Sequence, residues 1–68
     1  MAEDALAQAQ RHVIEGEQRV AGQIDLIARM KADGDSERTI ATAEELLATL
    51  QRTVELSREH LAYEKSRC

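Results

Sequence analysis

Apolar and small residues recur along the first half of the chain in steps of three and four, which keeps them on one side of an α-helix. Charged and amide side chains fill the positions between them, as in an amphipathic helix. The pattern predicts a first helix over about residues 3–32. Its expected core stripe is Leu6, Ala9, Val13, Gly16, Val20, Ile24 and Ile27.

The same spacing resumes in the second half, where it alternates three and four as in the a and d positions of a coiled coil. This predicts a second helix over about residues 37–66. Its expected core stripe is Ile40, Ala43, Leu47, Leu50, Val54, Ser57 and Leu61.

A turn is expected at about residues 33–36, because Gly34 can take the left-handed conformation that commonly follows a helix. Asp35, Ser36, Thr39 and Thr42 are all possible N-caps for the second helix, and Asp35 or Ser36 is favoured. A short turn makes the helices antiparallel, so we expect an all-α, two-helix hairpin spanning residues 1–68. Gly16 in the core stripe is expected to permit close helix approach.

Each predicted helix carries a second stripe, displaced by about 100° from its core stripe in the same rotational sense. In an antiparallel pair the two displaced stripes share one face. On the first helix this stripe comprises His12, Arg19, Gln23, Leu26 and Met30. On the second helix it comprises Leu46, Thr49, Thr53, Leu56, His60 and Tyr63.

Small size favours self-association through that face. A core of 68 residues rarely supplies more than roughly 3–5 kcal/mol, and the single cysteine, Cys68, cannot form an intrachain disulfide. We therefore expect a homodimeric four-helix bundle. The alternative is that scattered surface leucines have no special role. The expected interface residues are Leu26, Met30, Leu46, Thr49, Thr53, Leu56, His60 and Tyr63.

Composition and charge limit the kinds of partner and the location that we expect for this protein. The chain lacks proline, phenylalanine and tryptophan, and no alternating β-branched run predicts a strand. A net charge of −4 would repel a phosphate backbone, so nucleic acid is not an expected partner. No apolar run approaches the ~20 residues needed to span a bilayer. The acidic N-terminus, residues 1–4, does not resemble a secretory signal, so the cytoplasm is the expected location.

Histidines near carboxylates are weak candidates for a metal site: His12 with Glu15, and His60 with Glu64. Facing Glu-x-x-His motifs are lacking and the core stripes are nearly free of acids, so no metal or other cofactor is expected. Asp33, Asp35, Glu37 and Glu44 match part of a calcium-loop spacing, but Arg38 replaces the required glycine.

Charged side chains on the outer surface also suggest local ion pairs. Glu15 with Arg19 and Asp25 with Arg29 are acid-before-base pairs four residues apart, a spacing that stabilises helices.

Nucleophilic catalysis is not expected, because the only thiol, Cys68, is at the end of the chain and a thin hairpin offers no pocket.

Three stretches carry a resemblance to known proteins: residues 11–17 (RHVIEGE), residues 46–50 (LLATL) and residues 58–61 (REHL). The chain resembles small uncharacterised alphaproteobacterial helical-hairpin proteins over most of its length. The resemblance implies a bacterial cytoplasmic setting and assigns no activity or functional residue. The chain departs from those proteins between Gly34 and Leu46. Its connection is longer there than in those proteins, and it lacks their usual histidine after the glycine.

The function expected from these features is that of a non-enzymatic structural or protein-interaction module whose main partner is a second copy, with a larger protein as a further partner. Two alternatives remain open at this point. One is a bundle that binds a metal or small ligand, and the other is a regulatory adaptor that presents the second helix to a target groove.

Overall fold

The computed structural model describes residues 4–67, which form two antiparallel α-helices joined by a short turn. Helix α1 covers Ala5–Ala32 and helix α2 covers Glu37–Ser66. No strand occurs in residues 4–67. The hairpin is a thin slab measuring 49 × 21 × 13 Å. The predicted all-α helical hairpin is confirmed.

Side-chain caps set the start of both helices. The Asp4 carboxylate accepts a hydrogen bond of 2.7 Å from the Ala7 amide, so α1 begins at Ala5. Ser36 caps α2, because its hydroxyl oxygen accepts a hydrogen bond of 3.2 Å from the Thr39 amide. Of the N-cap candidates, Ser36 is therefore confirmed, and the short turn expected at about residues 33–36 is observed.

The turn ends α1 through Gly34, which has a φ of 74°. The Asp35 amide donates to the Met30 carbonyl at 3.0 Å, and the Gly34 amide donates to the Lys31 carbonyl at 3.3 Å. These two bonds form a Schellman motif, which satisfies carbonyls that the end of a helix would otherwise leave unpaired. The turn predicted at Gly34 is confirmed.

A narrow strip of side chains between the helices forms the core. The buried apolar residues among those described are Ala9, Val13, Ile27 and Val54. The expected α2 core positions are all buried or half-buried. At Gly16 the helices come close, because a Cβ added there would lie 2.8 Å from Cγ2 of Val54. The expected role of Gly16 in close packing is confirmed.

One core position of α1 differs from the prediction. Ile24 was expected in the core but is 50% exposed, whereas Gln23, expected on the second stripe, is only 9% exposed. The Gln23 side-chain amide donates to the Ala43 carbonyl across the hairpin at 2.8 Å, which removes the cost of burying its donor. The α1 core therefore keeps the coiled-coil spacing through Gln23 rather than shifting to the more apolar residue.

The core stripe of α2 also continues one step further than expected, to Glu64, which is 7% exposed. The Glu64 side chain lies beside Asp4, Ala5 and Leu6 at the start of α1. Its carboxylate accepts from the Arg67 guanidinium at 3.4 Å. The positive end of the α1 dipole and this guanidinium both favour a carboxylate here. Glu64 lies beyond the predicted stripe, which ended at Leu61, and its burial was not predicted.

Candidate interaction face

Four of the six exposed large hydrophobic residues lie on one face of the hairpin. Leu26, Leu46, Leu56 and Tyr63 are between 47% and 58% exposed. Each immediately precedes a buried or half-buried position, so each is rotated about 100° from the core in the same sense. In antiparallel helices that sense leads to the same side. We call this side the leucine face: Leu26 of α1 with Thr39, Thr42, Leu46, Thr49, Thr53, Leu56, His60 and Tyr63 of α2.

The α2 side of the leucine face carries no aspartate, glutamate, lysine or arginine, although 32% of the chain is charged. Its residues, from the turn outwards, are Thr39, Thr42, Leu46, Thr49, Thr53, Leu56, His60 and Tyr63. The opposite side of the same helix, one position after each core residue, includes Glu44, Glu55, Arg58 and Lys65. The two sides of α2 therefore differ sharply in charge.

Threonine hydroxyls on the leucine face are already hydrogen-bonded within α2. The hydroxyl of Thr42 donates to the Arg38 carbonyl at 3.1 Å, that of Thr49 to the Glu45 carbonyl at 3.2 Å, and that of Thr53 to the Thr49 carbonyl at 3.0 Å. Covering these residues would leave no hydroxyl hydrogen without an acceptor. These threonines can thus be removed from water at little cost in lost hydrogen bonds.

A shallow hollow marks the turn end of the leucine face. It lies between the helices, and its apolar lining is Leu26, Met30, Ala43 and Leu46. Met30 is half-buried in it rather than fully exposed, so it belongs to both the core and the face. Polar side chains complete the rim, namely Gln23, Arg38, Thr39 and Thr42.

Tyr63 projects from the other end of the leucine face, near the chain termini. The residue is 58% exposed. The His60 ring stacks against it with centroids 6.5 Å apart, and the Arg67 guanidinium lies 5.6 Å from its centroid. These contacts hold a large amphipathic side chain in position on the surface, where its burial by another molecule would cost little conformational entropy.

Charged residues approach the leucine face from α1 near the middle of the slab. Glu15 and Arg19 each precede a half-buried position, Gly16 and Val20. The predicted Glu15–Arg19 ion pair is wrong, because Glu15 instead pairs with Arg11 at 3.3 Å. Arg19 has no ion pair among residues 4–67. The predicted Asp25–Arg29 pair does form.

The opposite side of the slab, which we call the isoleucine face, carries Ile14 and Ile24 with an ion pair between Glu17 and Arg58. The isoleucines are 55% and 50% exposed, and the Arg58 guanidinium lies 2.9 Å from the Glu17 carboxylate. This face was not predicted, because Ile24 was placed in the core. The coiled-coil spacing that continues through Gln23 is the signal that would have found it.

The weak metal candidates are only partly brought together. The His60 ring lies 3.7 Å from the Glu64 carboxylate, which also binds Arg67, and Glu15 binds Arg11. Residues 4–67 contain no group of three or more histidine, cysteine, aspartate or glutamate side chains arranged to hold a metal ion.

The partial calcium-loop spacing is interrupted by α2, which begins at Glu37 and includes Glu44. Cys68 lies outside the described residues.

Neither α1 nor α2 is long and apolar enough to cross a membrane. Comparison with protein-family models, with curated proteins and with solved structures found no match to this chain.

Proposed function

We propose that this protein is a non-enzymatic structural or protein-interaction module that acts as a homodimeric four-helix bundle joined through the leucine face. The observation that carries the proposal is the concentration of exposed large apolar side chains on one face whose α2 half has no charged residue. Such a face is costly on a small monomer and typical of a subunit surface.

The dimensions of the hairpin support this proposal. A slab 49 Å long and 21 Å wide offers a face larger than the roughly 800 Å² per partner that a standard protein interface buries. The slab is only 13 Å thick, and its own core contains four buried apolar residues among those described. Covering the leucine face would convert this strip into the centre of a bundle.

A second copy is the proposed occupant because its shape and chemistry match the face. The leucine face is a two-helix layer, so a second layer of the same length covers it from the turn to the chain termini. The two layers would bring together surfaces of the same composition, and the threonine hydroxyls need no acceptor from the partner. The isoleucine face would remain accessible to a larger protein.

Sedimentation equilibrium over a range of low micromolar concentrations tests the proposal. The chain is expected to sediment as a dimer. Leu56→Glu places a charge on the leucine face and should shift the equilibrium strongly towards monomer or unfolded chain. Ile14→Glu is the matched control, because Ile14 is 55% exposed and Leu56 is 56% exposed, but Ile14 lies on the isoleucine face.

A folded monomer of the unmodified chain would contradict the proposal. Equal loss of dimer in Leu56→Glu and Ile14→Glu would contradict the assignment of the interface to the leucine face, because only one of these side chains lies there.

A further inference from the structure

We infer that the two hairpins pack antiparallel, with the turn of one copy against the chain termini of the other, and that Tyr63 of each copy occupies the turn-end hollow of its partner. This inference rests on the proposed homodimer. It adds the orientation, the register and the residues that meet.

The register of the hairpin sets the position of each residue along the slab. Gly16 faces Val54, so residues of α1 and α2 whose numbers sum to 70 lie at the same level. With a helical rise of about 1.5 Å per residue, Leu26 and Leu46 lie near the turn and Tyr63 lies near the termini. Glu15 and Arg19 lie near the middle, on either side of the level shared by Glu17 and Thr53.

Two symmetric ways of stacking leucine faces are available. A two-fold axis perpendicular to the helices places α1 on α1 and α2 on α2, each pair antiparallel. A two-fold axis along the helices places α1 of one copy on α2 of the other, with both turns at the same end. The two arrangements bring different charged residues together, which allows a choice between them.

Charge complementarity favours the first arrangement. When the axis passes at the level of Glu17, Glu15 of each copy lies opposite Arg19 of the other, and two intermolecular pairs can form. In the second arrangement Arg19 lies over the level between Thr49 and Thr53, and Glu15 lies over the level between Thr53 and Leu56. The leucine face of α2 has no charged residue at these levels, so neither charge meets an opposite charge. Arg19 has no ion pair within residues 4–67 of its own chain, and it is therefore available for one across the dimer.

The same axis brings Tyr63 to the hollow. The level of Glu17 on α1 is that of Thr53 on α2, and Tyr63 is ten residues after Thr53 while Ala43 is ten residues before it. Rotation about the axis therefore sets Tyr63 against Ala43 of the other copy, which is a small side chain in the lining of the hollow. The charge argument and the hollow argument use different residues and give one register.

Thr53 lies on the axis in this arrangement and meets its own copy. Its hydroxyl donates to the Thr49 carbonyl of the same helix, so two facing Thr53 side chains leave no hydroxyl hydrogen unsatisfied. Each α2 residue of one copy faces the α2 residue of the other copy for which the two residue numbers sum to 106. Leu46 of one copy therefore faces His60 of the other.

Disulfide cross-linking of single-cysteine variants tests the orientation, with Cys68→Ser as the common background. Thr53→Cys is expected to form a disulfide-linked dimer on its own under mild oxidation, because only antiparallel packing brings this position against itself. Leu46→Cys alone and His60→Cys alone should form none, whereas a mixture of the two should form the mixed dimer. A mixture of Leu26→Cys and Leu46→Cys reports the parallel arrangement and should form none.

The placement of Tyr63 in the hollow of the partner is tested separately, by measuring the dissociation constant of the dimer. Tyr63→Ala is expected to raise the dissociation constant at least about tenfold, as for an aromatic side chain buried at an interface. Tyr63→Phe, which keeps the ring, should change it much less.

Sedimentation of the Cys68→Ser background separates the two levels of failure. A dimer that cross-links through Leu26→Cys with Leu46→Cys, and not through Thr53→Cys, would overturn the antiparallel orientation and leave the proposed homodimer intact. An unchanged dissociation constant in Tyr63→Ala would overturn the placement of Tyr63 in the hollow of the partner. A folded monomer would overturn the proposed function itself.

Discussion

Gly16 shows how a residue that is unfavourable for its own helix can be required by the pair. Glycine costs about 1 kcal/mol relative to alanine inside a helix, so Gly16→Ala would ordinarily stabilise. Here the added Cβ would lie 2.8 Å from Cγ2 of Val54, whose branched side chain has little freedom to move. The clash should outweigh the gain in helix propensity.

We predict that Gly16→Ala lowers the free energy of unfolding by about 1–3 kcal/mol, the usual cost of overpacking, as measured by chemical denaturation followed by circular dichroism. Gly22→Ala is the control, because a Cβ there has no neighbour within 4 Å in the hairpin. In the double variant Gly16→Ala with Val54→Ala, the losses should be smaller than additive. Strict additivity would show that the contact with Val54 is not the cause.

The turn acts on the whole length of α1 and α2 through one backbone conformation. Gly34 has a φ of 74°, and a Cβ added there would have no neighbour within 4 Å, so substitution is opposed by backbone strain rather than by packing. Gly34→Ala should cost about 1–2 kcal/mol, the penalty of the left-handed conformation for an L-residue.

Gly34→Asn should cost less than Gly34→Ala, since asparagine tolerates this conformation better. Denaturation midpoints of the two variants, compared with the unmodified chain, check the order. Equal losses for alanine and asparagine would contradict the backbone explanation.

Helix bounds and caps were accessible to sequence reasoning because they depend on local chemistry. Gly34 and Ser36 act through hydrogen bonds that span only a few residues. The choice between Gln23 and Ile24 was not accessible in the same way, because it depends on a carbonyl of the other helix, that of Ala43. Hydrophobicity alone favours Ile24 as the buried residue, but the hydrogen bond to α2 places Gln23 in the core instead.

The leucine face could be predicted in outline, since Leu26, Leu46, Leu56 and Tyr63 all keep a fixed displacement from the core spacing. The hydroxyl bonds within α2 and the ring contacts around Tyr63 could not, because rotamers decide them. Glu64 was missed for another reason. Its burial depends on the start of α1 lying beside the end of α2, which no local pattern of α2 contains.

For the whole molecule, self-association should make thermal stability depend on protein concentration. A homodimer gains apparent stability by mass action, so the melting temperature should rise as the concentration increases from about 1 to about 100 μM. The double variant Leu56→Glu with Tyr63→Glu should be largely unfolded at every concentration, because the hairpin alone has a thin core. Circular dichroism melts at several concentrations provide the measurement.

A melting temperature that does not change with concentration in the unmodified chain would argue for a self-sufficient monomer. The Ile14→Glu variant should keep the concentration dependence, since its charge lies on the isoleucine face.

The Schellman turn at Gly34 also has a consequence for the order of folding. Contacts near the turn join residues close in sequence, whereas those between the start of α1 and Glu64 close a loop of almost the whole chain. Loop-closure entropy therefore favours pairing that starts at Gly34 and proceeds towards the termini. Strain at Gly34 would then appear mainly as a slower folding rate, and a change at the Glu64 end mainly as a faster unfolding rate.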